Sequence, residues 1–253
     1  MNKVVLITGV SQGIGEALAY EYARNNFNVV LLSRNEEAIK RIAENINSKN
    51  GNANYKKCDV TDLSQIKDAV AFAIEKYGHI DTALLNAGVG NPETMEHFSS
   101  EDFKKVVSVN TFGIAHGLEC LIPVMKSQGG GIIAGVTSLA DIRGYPGSAS
   151  YCASKAASSV LLESARLGLK KFNISVVTVR PGFVRTEMTA KNEFKMPFLW
   201  EPKKAAKFIR RGIERKKSVV QFPLFTVNLT RLVKFLPNWF YDPVLLKLRS
   251  GRN

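Results

Sequence analysis

The chain of 253 residues is 45% apolar and 23% charged, an ordinary balance for a globular protein long enough to bury a sizeable core. Its longest apolar runs, such as Val29-Val30-Leu31-Leu32, are only a few residues long, which argues against a bilayer span, and Met1 to Gly9 reads as a strand without the features of a secretory signal. The net charge of +13 is uneven: residues 191–253 hold 15 Lys and Arg against 4 Asp and Glu, whereas residues 1–190 come to only +2.

Val-, Ile- and Leu-rich runs alternate with helix-period segments from the first residues onward. Strands are predicted near 3–8, 28–33, 54–58, 80–86, 131–137, 174–180 and 218–221, and helices near 13–25, 35–48, 62–77, 100–126, 149–171 and 202–215. Strands this apolar are buried on both faces, as in a parallel sheet covered by helices. The expected fold is therefore α/β: a single Rossmann-like domain around a doubly wound, mainly parallel seven-stranded sheet. Residues 1–186 are expected to form its core, and residues 187–253 to add a lid and a basic, apolar extension of the same domain. Ligands of such sheets bind beyond the carboxyl ends of the strands.

The residues at those ends are informative. After the first strand comes Thr8-Gly9-Val10-Ser11-Gln12-Gly13-Ile14-Gly15. Gly9 permits a sharp turn, Gly13 lets backbone approach a pyrophosphate, and Gly15 lets helix and strand pack closely. The helix that follows offers amide donors and a positive dipole end to phosphates. At the end of the second strand, Ser33 stands where an NAD site commonly has an acidic residue, and Arg34 follows. A guanidinium clamps a 2′-phosphate that a carboxylate would repel, so NADPH is the expected cofactor and NADH the alternative. Asp59-Val60 closes the third strand, placing a carboxylate for an adenine amino group, and Asn86-Ala87-Gly88 closes the fourth beside the adenosine ribose. Each of these segments has an ordinary turn as its competing reading.

Tyr151 and Lys155 are four residues apart on a predicted helix, hence on one face. An ammonium beside a phenol favours the phenolate and brings a pKa of about 10 toward the working range, which suits proton exchange with an oxygen. By chance alone such a spacing is common.

Taken in order, the Thr8 to Gly15 motif, Asp59, Asn86-Ala87-Gly88, Asn110, Ser138, the Tyr151/Lys155 pair, and Pro181-Gly182 followed by Thr186 resemble the short-chain dehydrogenase/reductase family. The resemblance covers Val4 to about Thr186. It implies hydride transfer between NADP(H) and a carbonyl or secondary alcohol. Tyr151 would be the general acid or base, Lys155 would lower its pKa and bind the nicotinamide ribose, and Ser138 would orient the substrate oxygen. Asn110 would hold a water in a proton relay. Val184 and Thr186 would meet the nicotinamide carboxamide. Gln12 stands where some NADPH-using relatives have a basic residue, leaving most 2′-phosphate recognition to Arg34. A homodimer or homotetramer built through the helices near 100–126 and 149–171 is also implied.

The substrate side is thinner. Residues 187–201 occupy the lid position and include Met188 and Phe194, which suit an apolar, lipid-like, 3-keto or steroid-like substrate; packing of the lid onto the domain is the equal alternative. Arg143 and Tyr145, just past Ser138, are placed in the same pocket. Ala205 to Lys217 reads as an exposed basic helix. Phe222 to Leu248 mixes apolar and aromatic residues with Arg231 and Lys234, which suits either peripheral contact with anionic lipid or packing on the domain or a sister subunit. Cys58, Cys120 and Cys152 are odd in number and widely spaced, so reduced thiols in a cytoplasmic protein are expected. No metal site is expected at these cysteines or at His79, His97 and His116. A non-catalytic NAD(P)-binding sensor and a membrane interaction protein of the same fold are the alternative functions. Specific nucleic-acid binding has no motif behind it.

Overall fold

The computed structural model describes residues 2–90, 92–190 and 196–250, with side chains up to 247. In chain order the first half contains β1 (Val4–Thr8), α1 (Gly13–Ala23), β2 (Asn28–Ser33), α2 (Glu36–Asn47), β3 (Asn52–Lys57), α3 (Leu63–Tyr77) and β4 (Thr82–Leu85). Next come α4 (Ser100–Val107), α5 (Gly113–Ser127), β5 (Gly131–Val136), α6 (Ala149–Leu169) and β6 (Ile174–Pro181). The chain continues through α7 (Glu187–Ala190), α8 (Pro202–Glu214), β7 (Val219–Phe222), α9 (Leu224–Phe235) and α10 (Asn238–Ser250).

The seven strands form one sheet in the order β3-β2-β1-β4-β5-β6-β7. Every adjacent pair is parallel, with Val4 opposite Asn28, Leu6 opposite Ala83, and Thr82 opposite Ile132. Alternation along β1 sends Val5 and Ile7 to one face and Val4 and Leu6 to the other, and all four are buried. The first face is covered by α1, α2 and α8 through Leu18, Ile39, Ile42 and Ile209. The second is covered by α3, α5 and α6 through Ile66, Leu118, Leu121 and Leu162. β1 lies between β2 and β4, so the crossovers run outward in both directions from it, and a crevice opens at the carboxyl ends of β1 and β4.

Two of the expected helices depart from the sequence reading. The helix expected over 100–126 is interrupted by a π-turn at Ser108–Phe112, which gives the helix an extra residue and turns Asn110 inward. By length and composition the run Ser100–Ser127 could cross a bilayer; in the fold, Ile114, Leu118, Leu121 and Met125 are buried against the sheet. The second departure is α8, which is not an exposed basic helix. Ala205, Ala206, Ile209 and Ile213 are fully buried, while Lys203, Lys204, Lys207, Phe208, Arg211 and Glu214 face solvent. Even Arg210 is buried, its Nε 2.9 Å from Glu21 on α1 and its Nη1 on Glu214. The apolar residues at 205, 206, 209 and 213 follow a helical face that the density of lysines obscures.

Candidate active site

The cleft begins with a backbone lattice at the ends of β1 and β4. Thr8 Oγ1 accepts from the amides of Asn86 (2.9 Å) and Ala87 (3.1 Å) and donates to Leu84 O (3.4 Å). Asn86 Nδ2 returns two bonds, to Thr8 O (3.1 Å) and Gly9 O (3.0 Å). The two chain segments are so close that a Cβ on Gly9, whose φ is +69°, would lie 2.6 Å from Ala87 Cα. One on Gly15 would lie 2.1 Å from Gly9 O, so helix α1 can approach the strand end only with glycine there. Gln12 is the N-cap of α1 and makes no side-chain bond to its first turn, so the positive end of the helix faces the cleft.

The resulting cleft of roughly 370 Å³ is lined on this side by Gly9, Ser11, Gln12, Gly13, Ile14 and Gly15. Ser33, Arg34, Asp59 and Val60 form its outer rim, and Asn86, Ala87 and Gly88 its middle. Arg34 is 65% exposed in its side chain and lies 3.9 Å from the Asp59 carboxylate. Asp59 Oδ1 also accepts from Thr61 N (2.9 Å) and Thr61 Oγ1 (2.8 Å). Ser33 Oγ accepts from Asn35 N at 3.2 Å, and Asn35 in turn caps α2 through Ala38 N.

The far side of the cleft brings together Ser138, Tyr151, Lys155, Pro181, Gly182, Val184, Thr186 and Met188. Ser138 Oγ accepts from Ala140 N (3.1 Å), and Ser138 lines the cleft together with Tyr151. Lys155, 3% exposed, donates to Val136 O at 3.0 Å, and its Nζ stands 5.7 Å from the Tyr151 ring centre. Burial pushes the Lys155 ammonium down to about 8, while Asp141 acts to keep it charged. Burial also raises the Tyr151 pKa, and the Ser138 hydrogen bond opposes that rise. The sequence reading gave Lys155 the lowering role; in this cleft, desolvation of the phenol is the largest effect and Ser138 supplies the counterweight.

Asn110 lies behind this wall, fully buried, and does not line the cleft. Its Oδ1 accepts from Val89 N (2.8 Å), and its Nδ2 donates to Val89 O (2.9 Å) and Ser154 Oγ (2.9 Å). The π-turn is thereby tied both to the segment after β4 and to the helix carrying Tyr151 and Lys155. Thr8 likewise supports the cleft from beneath.

Other predicted positions fall elsewhere. Arg143 is not a pocket residue. Its guanidinium donates to Leu236 O, Val233 O and Asn238 Oδ1, and it stacks 3.8 Å over the Tyr241 ring, fastening α9 and α10 to the domain. Tyr145 also lies outside the cleft lining, its carbonyl accepting from Ser148 N (3.1 Å) in the turn before α6, and burial pushes its phenol up to about 12. Both were placed in the pocket because they follow Ser138 closely, but the turn at Leu139–Asp141 redirects the chain. Phe194 lies outside the described residues.

Sequence reasoning missed several contributors. Val89, Val109, Val136, Thr137 and Thr189 also line the cleft, and only their adjacency to the motifs could have suggested them. Glu93 caps α6: its carboxylate accepts from Ser150 Oγ (2.6 Å) and from Ser150 N, beside the positive end of the helix. Asp141, whose side chain is 1% exposed, accepts from Arg180 Nε (3.1 Å), Arg180 Nη2 and Ser159 Oγ, pinning the Ser138 turn to β6 and α6.

A doubly wound parallel sheet with a glycine-lined helix N-terminus on one side of its crevice and a Ser-Tyr-Lys cluster on the other defines a nucleotide-binding oxidoreductase fold. Residues 3–196 match the short chain dehydrogenase family. The chain belongs to the short-chain dehydrogenase/reductase family and is an oxidoreductase. An uncharacterized oxidoreductase of Myxococcus xanthus (strain DK1622) is 32% identical over 247 residues, covering 98% of each chain. Among solved structures, an alcohol dehydrogenase from the archaeon Thermococcus sibiricus complexed with 5-hydroxy-NADP superposes with a TM-score of 0.80. It is 25% identical, covering 88% of this chain and 96% of its own. A 7α-hydroxysteroid dehydrogenase complexed with NADH and 7-oxo glycochenodeoxycholic acid gives a TM-score of 0.79 at 28% identity, covering 87% and 91%.

Thr8→Val keeps the shape of the residue and removes the acceptor for two amides. Leaving those amides unsatisfied costs about 1–3 kcal/mol. The urea midpoint of Thr8→Val should fall accordingly; an unchanged midpoint would show that the lattice contributes nothing to stability.

Proposed function

We propose that this protein transfers hydride between NADP(H) and a carbonyl or secondary alcohol, with Tyr151 as general acid and base. The observation that carries the reading is that Ser138, Tyr151 and Lys155 line one cleft together with the glycine turn of Gly9 to Gly15. The residues present fit a dinucleotide: close backbone approach at Gly9 and Gly15 and an uncapped helix end leave amides for a pyrophosphate. When bound, the nicotinamide supplies or accepts the hydride.

The chain's own groups handle the oxygen. Reduction builds negative charge on a carbonyl oxygen, and two hydroxyl donors converge where that charge develops. Ser138 orients the oxygen, its own lone pair occupied by Ala140 N. Burial keeps Tyr151 protonated at neutral pH, ready to give its proton. The Lys155 ammonium favours the phenolate left behind, and Asn110 fixes the helix that presents both residues. Val184 and Thr186 are the residues we assign to the nicotinamide carboxamide. Orientation of this kind contributes several kcal/mol to such barriers, by order of magnitude about 7 or more at best.

Arg34 is our reason for NADPH over NADH. It reaches only 3.9 Å from Asp59 and is otherwise solvent-facing, so it is free to swing onto a 2′-phosphate. The substrate is proposed to be apolar: Met188 lines the cleft, and Trp200 and Phe198 continue the lid segment. Trp200 itself stacks on Phe222 (4.6 Å), so that end of the lid is fastened to the domain. We assign a homodimer or homotetramer on the strength of the exposed Phe112, Val160 and Leu167 on the helices that family assembly would use. Three unpaired cysteines fit a reducing, cytoplasmic setting.

Tyr151→Phe should abolish turnover of a ketone and aldehyde panel, by at least about a hundredfold, while nicotinamide cofactor titration changes little. Retention of most activity would remove Tyr151 from the mechanism. In the direction of alcohol oxidation Tyr151 must first lose its proton, so the rate should climb on the alkaline side. Because Ser138 is what opposes the burial effect, Ser138→Ala should carry that climb to higher pH as well as slow the reaction; a shift to lower pH contradicts the assignment. For the cofactor, wild-type protein should show a lower KM for NADPH than for NADH. Arg34→Asp should reverse the order, and a wild-type preference for NADH sinks the 2′-phosphate role.

A further inference from the structure

Helices α9 and α10 leave an apolar face uncovered. On α9, Phe225, Leu229 and Leu232 follow one another at helical spacing and are all more than half exposed. Phe235 at its end is 81% exposed, and Trp239 at the start of α10 is 77% exposed. Their rings are grouped: Trp239 lies 5.9 Å from Phe240, and Phe225 lies 4.8 Å from the exposed Phe198 of the lid segment. Scattered exposed apolar residues are normal on any protein, but two exposed aromatic pairs and an exposed apolar stripe on one helical hairpin are not.

The opposite face of the same hairpin is already fastened. Val227 and Tyr241 are buried, Tyr241 Oη donates to Gly144 O at 2.7 Å, and Arg143 holds the α9 carboxyl end. The uncovered face is therefore a surface that remains after docking onto the domain, at a fixed orientation.

We propose that this face seats on an anionic lipid bilayer. Charge selects this occupant. Arg231 and Lys234 are exposed on α9 among the apolar residues, and Lys203, Lys204 and Lys207 are exposed on α8. Asp242 is the single acidic residue in 223–253. Basic side chains around an apolar, Trp- and Phe-bearing face are the composition that holds a helix in the headgroup region of negatively charged lipid. A second copy on the same patch would bring Arg231 and Lys234 of both chains together, a like-charge contact that opposes pairing. The proposal does not depend on the hydride-transfer reading, since none of these residues lines the cleft.

The test is flotation of the full-length protein with vesicles of phosphatidylcholine alone or mixed with phosphatidylglycerol, at low and high salt. Co-flotation with the mixed vesicles at low salt, weakened by high salt, is expected. Phe235→Ser with Trp239→Ser should cut it by roughly tenfold or more, and Arg231→Glu with Lys234→Glu should abolish the preference for anionic lipid. Both pairs should keep the wild-type circular dichroism spectrum and turnover, which separates lost binding from lost folding. Three results overturn the proposal: no flotation at low salt, flotation unaffected by either pair, or a dimer in sedimentation velocity that Phe235→Ser with Trp239→Ser dissolves while vesicles never bind.

Discussion

The hydrogen bonds that join Thr8 to Asn86 and Ala87 are the constraint on which the cleft depends. Parallel strands diverge beyond their last ladder bond, and at the point where crossovers part in opposite directions nothing else holds the two ends together. A single hydroxyl and a single carboxamide close that gap. Once the ends are closed, Gly9 lies against Ala87 and Gly15 against Gly9, and the first helix points its amides into the crevice. The cofactor side is thus built from main chain, which explains why so few of its side chains have a distinctive chemistry.

The opposite wall is built from buried polar side chains. Desolvation acts on Tyr151 and Lys155 in opposite senses: it favours the neutral phenol and the neutral amine. Asp141 is a fixed negative charge close enough to act on both, and Arg180 keeps it paired. Burying that ion pair gains little stability by itself. Its structural effect is to hold the turn after β5, so that Ser138 meets Tyr151. Glu93 and Asn110 do the same for α6, one in its first turn and one along its length.

Much of this was legible in the sequence, for reasons that can be named. The strands were readable because both of their faces are buried, so they appear as unbroken Val, Ile and Leu runs; β3, at the sheet edge and carrying Asn52, Asn54, Lys56 and Lys57, and β4, which begins at Thr82, were the two whose starts were misplaced by two residues. Gly9 and Gly15 were readable because steric limits tolerate no other residue. The π-turn was not, since Ser108 to Phe112 has the same composition as the helix around it, and only the demand of Asn110 for three partners reveals it. The seating of α8 was hidden by its lysines. Arg143 was misassigned because proximity in sequence to Ser138 was taken for proximity in space, whereas its partners are about ninety residues further on.

That last contact couples two regions usually treated apart. Arg143 leaves the same turn that carries Ser138 and Asp141, and its guanidinium is satisfied by carbonyls at Val233 and Leu236 and by the face of Tyr241. A chain shortened before α9 would therefore not be the same catalyst minus an appendage. It would strand a cation next to the turn that carries Ser138 and remove the Tyr241 contact from Gly144. The carboxyl-terminal helices are a clamp on the turn beside the cleft as much as a surface.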